Sequence, residues 1–150
     1  MADTTTGAGA ADFSGIHHLT VPVPGLGDNV RWYETCLRAT RMERFDHRDA
    51  SGALTAVVLR PPDALPLIEL RHDPDVAARV RGYLPFSLGV ATRSDLDAWA
   101  AYLDAHGIEH GAVVERRIGQ SLDIPCPDTG MAIRLYTDPV GGIDAVEFRQ

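Results

Sequence analysis

Lysine is absent: every basic residue in the 150-residue chain is an arginine. Schiff-base chemistry, which needs a lysine amine, is thereby excluded. Cysteine is nearly absent too. Cys36 and Cys126 are too few for the disulfide framework of a small secreted protein, so the cytoplasm is the expected compartment. No apolar run approaches the roughly 18 to 20 residues that span a bilayer. Phosphate loops, nucleophile elbows and paired-cysteine zinc motifs are also missing. The arginines are scattered rather than gathered in a stripe, and the net charge is −7 with a pI near 5.2. That balance argues against nucleic acid and against an anionic membrane as partners. Aromatics make up only 7% of the chain, while fourteen glycines and ten prolines demand many turns.

What remains, 45% apolar and 23% charged residues, is the balance of one ordinary globular domain. Residues 1–12, rich in Ala, Thr and Gly, are expected to form a disordered tail, and Asp3 stands where a secretion signal would be positive. Residues 13–150 are expected to form a single domain: a first repeat over 13–74, a link over 75–84, a second repeat over 85–139 and a C-terminal tail over 140–150.

The repeat is the most informative feature. At a constant offset of 65, Pro62-Asp63, Ile68, Leu70 and Asp73-Pro74 recur as Pro127-Asp128, Ile133, Leu135 and Asp138-Pro139. Earlier parts align at an offset of 67: Val23 with Val90, Asp28 with Asp95, Trp32 with Trp99. In the first copy, Ile16 to Val23 reads as a strand bounded by Pro24-Gly25. Val30, Tyr33 and Leu37 then mark one face of a helix over 28–37. Apolar stretches over 41–46, 54–59 and 67–71, separated by turn residues, read as three more strands. The second copy repeats the plan, with a strand over 86–91 and a helix carrying Leu96, Trp99 and Leu103 that stops at Gly107. Ser94 with Asp97 is the expected capping box. Strands over 112–117, 120–124 and 131–136 complete it. The expected class is α+β, built as two βαβββ modules forming a cupped sheet.

This pattern resembles the vicinal oxygen chelate superfamily, which includes glyoxalase I, extradiol dioxygenases, and fosfomycin- and bleomycin-resistance proteins. Ile16-His17-His18-Leu19-Thr20-Val21-Pro22-Val23 is similar to the family's first strand, and Arg31 to Leu37 to its first helix. Pro127-Asp128-Thr129-Gly130 with Ile133-Arg134-Leu135-Tyr136 is similar to its last turn and strand. In metal-using members each module offers a ligand from its first strand and another from its fourth. The resemblance puts His18 and Glu69 at those positions in the first module, but Pro85 and Arg134 in the second. A catalytic zinc site normally keeps three protein ligands, and two of these four positions cannot ligate. A guanidinium about 4 Å from a divalent ion would repel it by about 8 kcal/mol at an effective dielectric of about 20. The resemblance with these substitutions implies no metal and no cofactor.

Site candidates follow from the same register. Glu69 reads either as a solvent-facing strand residue or as an inward carboxylate paired with Arg134. Arg134, if unpaired, would anchor an anionic group of a ligand. Thr20, Ser87, Ser121 and Tyr136 are expected to add polar contacts by strand alternation. His17 is expected on the opposite face from His18, and His47 at the surface. Trp32 and Trp99 read as core residues.

The resemblance implies a small-molecule-binding protein that holds an antibiotic or a metabolic intermediate in the cup. The alternative is a lyase, isomerase or dioxygenase, in one version metal-free, with His18 or Glu69 as general base and Arg134 stabilising an oxyanion. Another version binds a divalent metal through an atypical ligand set, and a degenerate scaffold is the third reading. Relatives of this kind act as homodimers with shared sites, so a homodimer is expected. Whether His18 and Glu69 meet Arg134 within one chain or across two is left open by the sequence.

Overall fold

The computed structural model describes residues 9–142. The tail expected over 1–12 lies outside the described residues up to position 8, and the C-terminal tail does so from position 143.

Each half forms its own sheet with the same internal order. In the first half, β1 (His18–Val23) is followed by α1 (Gly27–Leu37) and two short strands, β2 (Thr40–Arg41) and β3 (His47–Arg48); β4 (Leu54–Arg60) and β5 (Leu67–His72) follow. Their order is β1-β5-β4-β2, with β3 also on β4. After a short α2 (Pro74–Arg79), the second half contains β6 (Phe86–Val90), α3 (Arg93–Ala105), β7 (Val114–Arg116), β8 (Gly119–Pro125) and β9 (Ala132–Thr137). Their order is β6-β9-β8-β7. In both halves the first and last strands pair in parallel, and Thr20 opposite Glu69 is matched by Ser87 opposite Arg134. The sequence repeat is thus a repeat of strand register: the second module reads βαβββ, and the first follows the same plan with two short strands, β2 and β3, in place of one.

Period-two alternation divides each sheet into two faces. Val21, Val23, Val57, Leu59, Ile68 and Leu70 point to one side of the first sheet and are almost completely buried. Leu122, Ile124, Ile133 and Leu135 do the same in the second. All belong to one continuous core with Tyr33, Leu96 and Leu103 of the helices. The halves are also joined by polar contacts. Asn29, itself buried, donates to Asp128 Oδ2 at 2.7 Å and accepts from Cys126 Sγ at 3.4 Å. The Tyr102 hydroxyl donates to the carbonyl of Thr35 at 2.7 Å. Trp32 and Trp99 pack half-buried against this core.

Three local expectations are corrected. The capping box of α3 is Thr92 with Asp95, not Ser94 with Asp97: Thr92 Oγ1 accepts from the Asp95 N–H and Asp95 Oδ2 accepts from the Thr92 N–H. Extended backbone at Thr92 aims its hydroxyl at the third residue of the helix, where an unsatisfied donor sits. The expected link carries α2, capped by Asp73 and started by Pro74. Finally, no single strand runs over 41–46. A one-turn 3-10 helix (Glu43–Phe45) interrupts it, closed by Arg41 donating twice to the carboxylate of Asp46.

Candidate functional site

The faces turned away from the core carry the polar residues. On the first sheet, Glu69 of β5 lies between Thr20 of β1 and Val58 of β4. Here the sheet is overhung by the 3-10 turn, and the two together enclose a cavity of about 460 Å³. Its floor is apolar: Val58, Leu67 and the half-exposed ring of Phe45. Its rim is polar and basic, with His18, Arg44, His47 and Arg60.

Glu69 is only 6% exposed, and its charge is matched within its own strand. Arg71, two residues on and therefore on the same face, donates to Oε1 through Nε at 2.8 Å and Nη2 at 2.6 Å. His18 Nε2 lies 3.9 Å from the other carboxylate oxygen, too far for a hydrogen bond. His17 Nδ1 and His18 Nδ1 are 2.8 Å apart, so one ring donates and the other accepts. His17 was expected on the opposite face. It precedes the paired residues of β1, so strand alternation does not govern it, and it joins the cavity wall. His47 stays exposed, as expected, and lines the cavity from that surface position.

The second sheet presents an equivalent face with different chemistry. Ser87 and Arg134 lie opposite each other, with Asp123 on the next strand. Arg134 donates to Asp123 through Nε at 2.7 Å and a terminal nitrogen at 2.9 Å, a two-pronged pair. The hydrogen bond from Arg134 holds the Asp123 carboxyl below its usual range, and Asp123 raises Arg134 in turn. Tyr136 and Ser121 are register partners one step along, and Ser121 accepts from Arg116 at 2.7 Å.

One reading is therefore corrected, and a question that the sequence left open is answered for the single chain. Arg134 pairs with Asp123 on its own sheet instead of Glu69, because adjacent antiparallel strands put those two side chains directly opposite. Nor does one chain bring His18, Glu69 and Arg134 together, since every side chain lining the cavity comes from the first half. Among the polar candidates, Thr20 neighbours Glu69, whereas Ser87, Ser121 and Tyr136 stand on the second face with Arg134.

The donor set does not suit a transition metal bound in the family's usual way. Pro85 offers no donor, and Arg134 is a cation already engaged. His18 and Glu69 supply two ligands, and among the described residues no three His, Cys, Asp or Glu side chains gather as a metal site. The buried thiols offer no nucleophile either: burial, with Cys126 nearby, pushes Cys36 up to about 12, so it stays protonated at neutral pH.

Sequence reasoning missed Arg44, Phe45 and Arg60. Arg60 was accessible, because it alternates in phase with Val58 along β4. Arg44 and Phe45 were not, since they reach the cavity only through the break in the expected strand.

The profile of the Glyoxalase/Bleomycin resistance protein/Dioxygenase superfamily matches residues 15–143. A comparison with curated proteins finds no match. Among solved structures, a glyoxylase/bleomycin resistance protein/dioxygenase domain from Frankia sp. EAN1pec is 22% identical, with a TM-score of 0.62 over 84% of this chain and 98% of that one. TnmS3, an antibiotic binding protein from Streptomyces sp. CB03234, is 20% identical, with a TM-score of 0.62 over 85% and 98%. The fosfomycin resistance protein FosX from Listeria monocytogenes is 15% identical, with a TM-score of 0.64 over 87% and 98%. At these identities the structures establish a shared fold, and the profile match covers most of the chain: it belongs to the glyoxalase/bleomycin resistance protein/dioxygenase superfamily.

Proposed function

We propose that this protein binds a small organic molecule, an antibiotic or a metabolic intermediate, in a cup that two copies of the chain complete without a metal. The observation that carries the reading is the cavity of about 460 Å³, which has an apolar floor, a polar rim and walls from one half only. That volume suits a drug-sized molecule, and holding one needs only shape and a few anchors. A second copy could supply the missing wall with its own second-half face, bringing Ser87, Ser121, Arg134 and Tyr136 opposite His18 and Glu69. Such an isologous arrangement gives a homodimer with two equal sites. TnmS3, an antibiotic binding protein, is a fold-level precedent for binding. The cysteine usage favours a cytoplasmic setting, and among the described residues no helix is long and apolar enough to cross a membrane.

Light scattering tests the pairing, and a dilution series tests the shared wall. Affinity for the compound that copurifies should fall over the concentrations at which the dimer dissociates. A monomer binding with undiminished affinity would rule the shared cup out. Stoichiometric zinc, nickel, manganese or iron in the purified protein would rule out metal independence.

A second reading is metal-free catalysis with His18 as general base. The proximity of Glu69, at 3.9 Å, favours it, since catalytic hydrogen bonds often tighten only on substrate binding. Conversion of the bound compound that is lost in His18→Gln would support this reading; recovery of the compound unchanged would sink it.

A further inference from the structure

The chain carries more acids than bases, 21 against 14, yet the cavity of the first half is lined by the opposite sign. Two arginines, Arg44 and Arg60, line it against one carboxylate, Glu69, with His17, His18 and His47 beside them. That carboxylate is already held by Arg71. The two lining arginines are uncommitted. Among the described residues the Arg60 guanidinium makes no hydrogen bond or ion pair, and that of Arg44 makes none either, its central carbon lying 4.8 Å above the centre of the Phe45 ring. Elsewhere arginines find acids readily, as Arg41 finds Asp46 and Arg134 finds Asp123. A shortage of acids therefore does not explain the two at this rim.

From this we infer that the cup selects organic anions: molecules with a ring-sized apolar body bearing a carboxylate, sulfonate or phenolate. The inference rests on the small-molecule reading above and adds the ligand's class. Val58, Leu67 and Phe45 would receive the body, with Phe45 and the Arg44 guanidinium offering a flat surface to a ring. Arg60 ends β4 on the same face as Val58, so its guanidinium stands over the floor and can take the anionic group by two parallel N–H bonds. Arg134, the more obvious anchor from the sequence, is occupied by Asp123. Anion binding thus moves to the first half.

The test compares two fluorescent probes that share one body, 8-anilinonaphthalene-1-sulfonate and its uncharged analogue N-phenyl-1-naphthylamine. Each is titrated against the full chain. The anion should bind at least about tenfold more tightly, and Arg60→Gln should remove about that factor while leaving the uncharged probe unaffected. Arg60 is exposed and partnerless, so this variant should fold normally. Leu67→Trp, which fills the cavity, should weaken both probes and so locate them. If the probes bind equally and Arg60→Gln alters neither, the anion inference fails while the small-molecule cup stands. If neither binds at millimolar concentration, the cup reading fails with it.

Discussion

Arg134 and Asp123 face each other across the second sheet, and the pairing limits what either can do. A guanidinium tied at both prongs is a weaker anchor for an incoming anion than a free one, and it neutralises a carboxylate that would otherwise repel the ligand. The two side chains are about a quarter and a third exposed, so solvent screening keeps the pair's contribution to about 1 kcal/mol or less. A double-mutant cycle of Asp123→Asn and Arg134→Gln, followed by urea unfolding, should return a coupling of that size at neutral pH. The sign with pH follows from Asp123, whose folded carboxyl lies below its ordinary value. Its contribution is present above the unfolded value and is lost as pH falls through the folded one. A coupling unchanged in acid would contradict the pairing. The family resemblance singled out Glu69 and Arg134, and strand alternation added Thr20, because both signals run along one strand at a time. It could not reveal that Arg71 serves Glu69 or that Asp123 serves Arg134, because several acids and arginines compete for each partner. Only the folded positions decide among them.

At the level of elements, the strands and helices that carry clear periodicity formed where the apolar pattern put them, and departures occur where polar side chains direct the backbone. Thr92 and Asp95 start α3 two residues earlier than Ser94 and Asp97 would, and both arrangements satisfy the same motif spacing. Thr92→Ala should therefore cost about 1 kcal/mol in urea or thermal unfolding, whereas Ser94→Ala should cost a few tenths at most. Equal losses from the two substitutions would show that the cap had been misplaced. The 3-10 turn at Glu43–Phe45 matters more for function. The contact that closes it, Arg41 with Asp46, spans five positions and has no short motif. That turn brings Arg44 and Phe45 to the cavity beside Arg60 of β4, so one of the two lining arginines came from the stretch hardest to read from sequence.

Over the whole molecule, one duplicated unit does two jobs. Its core faces merge into a single interior, held by Asn29 and Tyr102 across the junction, while its polar faces remain on the far sides of the two sheets. The duplication was legible because Trp32 with Trp99 and the paired Pro-Asp and Asp-Pro turns kept their spacing. The way the halves pack was not, because a repeat specifies each unit and leaves open which faces meet. This arrangement leaves His18 and Glu69 on one face and Arg134 on another, and the proposed function has a second copy bring the two together. Native mass spectrometry of the purified chain tests this most directly, since one spectrum reports subunit number, metal content and bound organic molecules together. The account predicts a dimer that carries organic adducts and no stoichiometric metal. A monomeric species, or a dimer with one divalent transition metal per site, would contradict it.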